Sequence, residues 1–138
     1  MLDIKFEQFF DRTAVMAKVD AARRTVLSKW GSFVRTTARR SIRPRKRSAA
    51  PGQPPSSHVG LLRKLIFFGY DDAAESVVVG PTLFKSGSPT VPELLEFGGS
   101  ARHWRTGEPA VYRAHPFMRP AEEQERERGL KLFENSVR

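Results

Sequence analysis

Between Asp11 and Pro44, Val15, Val19, Ala22, Val26, Trp30, Phe33 and Thr37 recur at steps of three and four, with Lys18, Arg23, Arg24, Lys29 and Arg35 between them. That period predicts an amphipathic helix of roughly eight turns. Asp11 is placed to cap its start, and Asp20 is placed to split it, since Asp prefers caps to helix interiors. Pro44 ends it, because proline lacks an N–H and pushes the preceding residue out of helical geometry. In a chain of 138 residues, a helix this long must lie across a sheet or against a neighbouring subunit.

The remaining elements are shorter. Leu2, Ile4 and Phe6 alternate with Asp3, Lys5 and Glu7, the two-residue period of a half-buried strand. Leu61, Leu62, Leu65, Ile66, Phe67 and Phe68 lead through Gly69 to Asp71 and Asp72, and a β-branched run then closes on Gly80-Pro81. Two strands joined by a tight polar turn are expected there. Pro92 suits a first helical position, Leu94, Leu95 and Phe97 supply an apolar side, and Gly98-Gly99 stop the turn. Segments 102–105 and 110–114 around Thr106-Gly107-Glu108-Pro109 suggest another hairpin. Pro120 opens a last helix with glutamates early and Lys131 late, the order that suits the helix dipole. Glu122–Arg126 and Glu127–Lys131 are spaced for ion pairs, Leu130, Phe133 and Val137 form a narrow apolar stripe, and Gly129 weakens its middle. The fold class expected is α+β: a long N-terminal helix packed on a small, mostly antiparallel sheet, an extended basic Pro-rich arm, and a C-terminal helix, in one domain spanning 1–138.

The arm, at about 42–59, is where charge and composition diverge from the rest. Residues 1–58 hold 13 Lys and Arg against 4 Asp and Glu, whereas residues 59–138 hold 11 of each, so the whole net charge of +9 lies in the first part. It peaks at Arg39, Arg40, Arg43, Arg45, Lys46 and Arg47, and such asymmetry points to an electrostatic partner. Pro51, Gly52, Pro54 and Pro55 then exclude regular structure. The segment reads as a surface loop or as a strap lying along an adjacent protein, with Arg43, Arg45, Lys46, Arg47, Pro51, Gln53, Pro54 and Pro55 in contact. A pre-stiffened backbone loses less entropy on docking. The six cations would meet DNA phosphates through charge alone, without reading sequence. The arm has no aromatic residue on which bases could stack.

Other chemistry finds little support. His58, His103 and His115 are isolated and form no metal-ligand spacing, so each reads as a packing or surface residue. Phe97-Gly98-Gly99-Ser100 lacks the spacing and the lysine of a phosphate loop, and the acids at 122–127 read as a solvated helix face. The chain contains no cysteine, which excludes disulfides and thiolate metal sites and suits a reducing compartment. Neither a signal peptide nor an apolar run of membrane-spanning length is expected. No catalytic residue, metal or cofactor is assigned.

The stretch from Ala38 to Asp71, then Ser76 to Pro81, then Pro92 to Gly99, then Ala114 to Gln124, resembles the small tail-completion (minor tail component) proteins of long-tailed double-stranded DNA bacteriophages. That family's G-x-P-P segment, L-x-x-x-I/L strand, V-G-P strand end, L-E-F-G turn and R/H-P-F-M/L-R-P-A segment fall here at Gly52 to Pro55, Leu62 to Ile66, Val79 to Pro81, Leu95 to Gly98 and His115 to Ala121. The blocks occur in order over about residues 1–135, and His115 stands where the commonest pattern has Arg. The resemblance implies a non-enzymatic virion protein that passes through the host cytoplasm during assembly. It implies a homo-oligomeric, sixfold ring at the head–tail junction or the top of the tail tube. Its neighbours would be head-closure or connector, tail terminator or tail tube proteins, with no membrane contact. Gly80, Pro81, Leu95, Glu96, Phe97, Gly98, Phe117, Met118, Arg119 and Pro120 then take structural roles as turn, cap and hydrophobic plug. The alternative from another class is a small nonspecific DNA-binding protein acting through the basic arm.

Overall fold

The computed structural model describes residues 11–82, 90–103 and 105–136. The strand expected over Leu2–Glu7 lies outside them, as does Val137. Helix α1 runs unbroken from Arg12 to Ser41. The Asp11 carboxylate caps it by accepting the Ala14 N–H at 3.1 Å. Asp20 does not divide it; that side chain pairs at 2.8 Å with Arg23, one turn on, so the helix keeps its backbone bonds there. Ile42 leaves helical geometry just before Pro44.

The buried face of α1 differs from the expected stripe. Val26, Gly31, Val34 and Ala38 are buried, while all of residues 12–21 are exposed, Val15 and Val19 included. The first turns of α1 run past the body of the protein, so their apolar residues meet nothing among the described residues. The core forms at the other end, where Val34, Ala38 and Ile42 meet Ile66, Phe117 and Ala121.

Strands β1 (Arg43–Pro44) and β2 (Ser56–Ser57) pair in parallel, and a single helical turn, α2 (Leu61–Lys64), follows. Leu62 to Ile66 is therefore helical before it is extended. Strands β3 (Ile66–Asp71) and β4 (Ser76–Pro81) form the expected antiparallel hairpin, and the Asp71 carboxylate closes its tip by accepting the Ala73 and Ala74 N–H groups. Thr82 N–H donates to the Leu65 carbonyl at 3.0 Å. That bond sets the phase of the ladder: the paired backbone groups fall at 67/80, 69/78 and 71/76, and Pro81 occupies a position where no N–H is required. Ile66, Phe68, Tyr70, Val77, Val79 and Pro81 share the other face, which rests on α1. Gly31 is the point of closest approach, since a Cβ there would lie 2.5 Å from Val77 Cγ2.

Helix α3 (Val91–Phe97) starts with a capping box between Thr90 and Glu93 and stops at Gly98, whose φ of 71° favours glycine. Strands β5 (Gly99–Arg102) and β6 (Pro109–Tyr112) pair antiparallel, in a register slightly earlier than the sequence suggests. Helix α4 (Met118–Ser136) begins two residues before Pro120 and packs on α1 through Ala121, Glu125 and Gly129. Two expectations are corrected here. Glu125 is 7% exposed rather than solvated, because Thr37 Oγ1 donates to it at 2.6 Å and Arg128 stands 3.6 Å away. Gly129 is the crossing point of the two helices: its virtual Cβ would lie 2.8–3.0 Å from the Trp30 indole. Leu130, in contrast, is 58% exposed. The architecture is α+β, a long helix and a C-terminal helix with small, mostly antiparallel sheets.

Candidate functional site

Segment 42–59 leaves the core at buried Ile42 and is closed by the β1–β2 pairing. Between these strands its backbone is anchored to the body: Gly52 N–H donates to the Ala114 carbonyl at 2.9 Å, and the Gln53 carbonyl stands 3.1 Å from His115 Nδ1, which donates when it carries the ring proton. Pro55 is buried, Pro54 half-buried, and Pro51 and Gln53 exposed. The segment is thus a loop whose middle is anchored on its own chain, with Arg43, Arg45, Lys46, Arg47, Pro51 and Gln53 on its outer side. Backbone bonds that composition does not reveal tie it down.

The cations stay outside. Arg40, Arg43, Arg45, Lys46 and Arg47 are exposed and Arg39 is half-buried. Among the described residues, no carboxylate pairs with any of the six. Arg39 and Arg40 occupy the last turn of α1, where the helix dipole favours positive charge. Pro44, Arg45, Lys46, Ser57 and His58 line a cleft of about 240 Å³ beside them. An exposed, unneutralised cluster of this kind attracts polyanions through a field that salt screens.

Three of the sequence blocks meet in one place. The Glu96 carboxylate accepts the backbone N–H groups of Phe117, Met118 and Arg119 at 2.9, 3.0 and 2.9 Å, capping α4 with a side chain from the end of α3. His115 N–H donates to the Leu95 carbonyl at 2.5 Å, and Gly52 and Gln53 close on Ala114 and His115 as above. Phe117, 1% exposed, plugs the core beneath, with Met118 half-buried beside it. Gly98 must remain glycine: besides its positive φ, a Cβ would lie 2.9 Å from the Tyr112 carbonyl. Arg119 stays exposed, paired with Glu123 at 3.3 Å, and Pro120 is exposed.

Phe97 behaves differently from the apolar helix side expected of it. It is 75% exposed, at the rim of a groove of about 410 Å³ whose walls are mainly Trp30, Val34, Val77, Val79 and Met118. Gly80 and Pro81 end β4 just beyond this groove. The sequence places Trp30 on the apolar stripe of α1, where it packs against the core, but gives no apolar signal for Gly31, Glu125 or Gly129 as contact residues.

Among the described residues, no group of three or more His, Asp or Glu side chains is arranged to hold a metal, and no helix is long and apolar enough to cross a membrane. No family model matches the chain, and neither does any curated protein or solved structure.

Proposed function

We propose that this chain is a structural virion protein, a subunit of an oligomeric sixfold ring at the head–tail junction or the top of the tail tube of a long-tailed phage. In that role it completes the tail and joins it to the DNA-filled head. The observation that carries the reading is the convergence of the sequence blocks on which the resemblance rests. The G-x-P-P, L-E-F-G and H-P-F-M-R-P segments clasp one another through Glu96, Gly52 and His115, as parts of one structural unit would. The apolar groove under Phe97 adds to it, since a subunit that is complete only in an assembly leaves such surface open. The loop at 42–59 is anchored on its own chain at Gly52 and Gln53. Its exposed cations remain a contact for an acidic neighbour or for DNA in the channel.

Light scattering on the eluting protein and electron microscopy of the product test the reading. Closed rings, alone or on adding the neighbouring tail or connector protein, are expected; a chain that stays monomeric in both conditions overturns it. The unpaired cations also favour a second reading, nonspecific duplex binding by the monomer. Six phosphate contacts would give a slope of log K against log salt of about −5, and a salt-independent or absent interaction removes that reading.

A further inference from the structure

Among the described residues, the edge of β4 that borders the apolar groove is open. Given the phase of the ladder, the backbone groups of Val77 and Val79 point away from β3, and none has a hydrogen-bond partner among the described residues. On the opposite edge Arg35 Nε donates to the outward Ile66 carbonyl at 2.8 Å and its guanidinium lies 5.8 Å from the Phe67 ring, while the outward groups of Phe68 and Tyr70 have no partner among the described residues; the β4 edge differs in bordering the apolar groove. A two-stranded hairpin with an open edge is marginal by itself and invites another strand. The groove continues from that edge across α1 towards α4, so a strand added to β4 would lay one face into it, over Trp30, Val34 and Met118.

The chain carries a segment of the required pattern. Leu2, Ile4 and Phe6 alternate with Asp3, Lys5 and Glu7, a pattern that would put the apolar three on one face of a strand. We propose that residues 2–7 of a second copy of this chain add to the outer edge of β4 and place Leu2, Ile4 and Phe6 in the groove. This rests on the oligomeric reading above and names the contact that builds it.

Reach decides between the chain's own segment and that of another copy. Gly31 is level with Val77 and Val79, and Asp11 precedes it by 20 residues, about 30 Å along the helix. Arg23 and Arg24 reach Glu75 and Asp72 at the hairpin tip, which therefore lies about 19 Å from Asp11. Turning back at Asp11 would use residues 8–10, and residues 2–7, fully extended, would span only about 20 Å. Doubling back from Asp11, residues 4–7 would lie alongside the overhang of α1, and only Leu2 would come level with the start of β4. A full ladder on β4 therefore requires a segment from another copy.

Because the chain has no cysteine, a disulfide between introduced cysteines reports the contact directly. Leu2, Ile4 or Phe6→Cys would be combined with Val77 or Val79→Cys in the full-length protein and oxidised at assembly concentration. The control pairs the same N-terminal positions with Val111→Cys, which is 82% exposed on the other hairpin. Interchain bonds with Val77 or Val79, and not with Val111, are expected. Intrachain bonds, no bonds, or equal bonding to the control overturn the proposal. Deleting residues 1–10 gives a second readout: lost oligomers with an unchanged circular dichroism core signal are expected. Rings that persist without these residues sink this proposal and leave the ring reading standing, whereas a wild-type chain that never oligomerises sinks both.

Discussion

The Glu96 side chain and the Phe117 backbone are joined by a 2.9 Å hydrogen bond, the first of three by which one carboxylate closes the N-terminus of α4. A helix start leaves four N–H groups without intrahelical partners, and negative charge there is favoured by the dipole. Glu96→Ala removes all three acceptor contacts and should cost about 1–3 kcal/mol. Glu96→Gln, with one carbonyl oxygen and no charge, should fall between. Chemical denaturation at neutral pH measures both; a Glu96→Ala midpoint equal to wild type would show that the clasp contributes nothing.

Gly129→Ala is expected to destabilise, against helix propensity. In an exposed helix the change would gain about 1 kcal/mol. Here the new methyl group would fall within 3.0 Å of the Trp30 indole, pushing it off the Glu125 carbonyl to which its Nε1–H donates at 3.0 Å. Overpacking of this kind costs about 1–3 kcal/mol. Thermal unfolding gives the sign, and tryptophan emission reports the displaced indole.

These two residues also mark where sequence reasoning stopped. The caps and stops of the helices were legible because each is local: Asp11 and Pro44 around α1, Pro92 and Gly98 around α3. The β3–β4 hairpin was legible from its β-branched runs and Asp-rich turn. The packing face of α1 was not, because Gly31 is a contact residue without a side chain, and periodicity counts only apolar ones. Glu125 was read as solvated because its identity says nothing of Thr37, 88 positions away. The docking of segment 42–59 depends on backbone groups of Gly52 and Ala114, which every sequence possesses. Phe97 was counted on an apolar side with Leu94 and Leu95, yet α3 turns only Pro92 fully inward.

Thr37→Val should leave the shape of the α1–α4 contact intact and remove the donor from a carboxylate that is 7% exposed. A buried acceptor that loses its partner costs about 1–3 kcal/mol. Thr37→Ser keeps the hydroxyl and should recover most of the loss, apart from one methyl group. Equal destabilisation by Val and Ser would place the effect in packing instead.

Acid should loosen α3 before it unfolds the core. Hydrogen bonds hold the Glu93 carboxyl below its usual range, the Thr90 backbone N–H first and the Thr90 hydroxyl second. In the folded state that N–H donates to the carboxylate at 2.6 Å. A folded value below the unfolded one, about 4.3, means that the carboxylate contributes stability fully present above that pH. The contribution is lost as pH falls through the folded value. Amide exchange at Glu93 and Leu94 should therefore accelerate, relative to core amides of α1, as pH drops below about 4, after correction for intrinsic rates. Glu93→Gln should flatten that dependence while leaving α4 protected at neutral pH. Because Glu96 lies in the last turn of α3, the same loosening should pass to the α4 cap, and the Phe117 to Arg119 amides should lose protection only once α3 has opened. Simultaneous loss at both places would show that the two caps open as one unit.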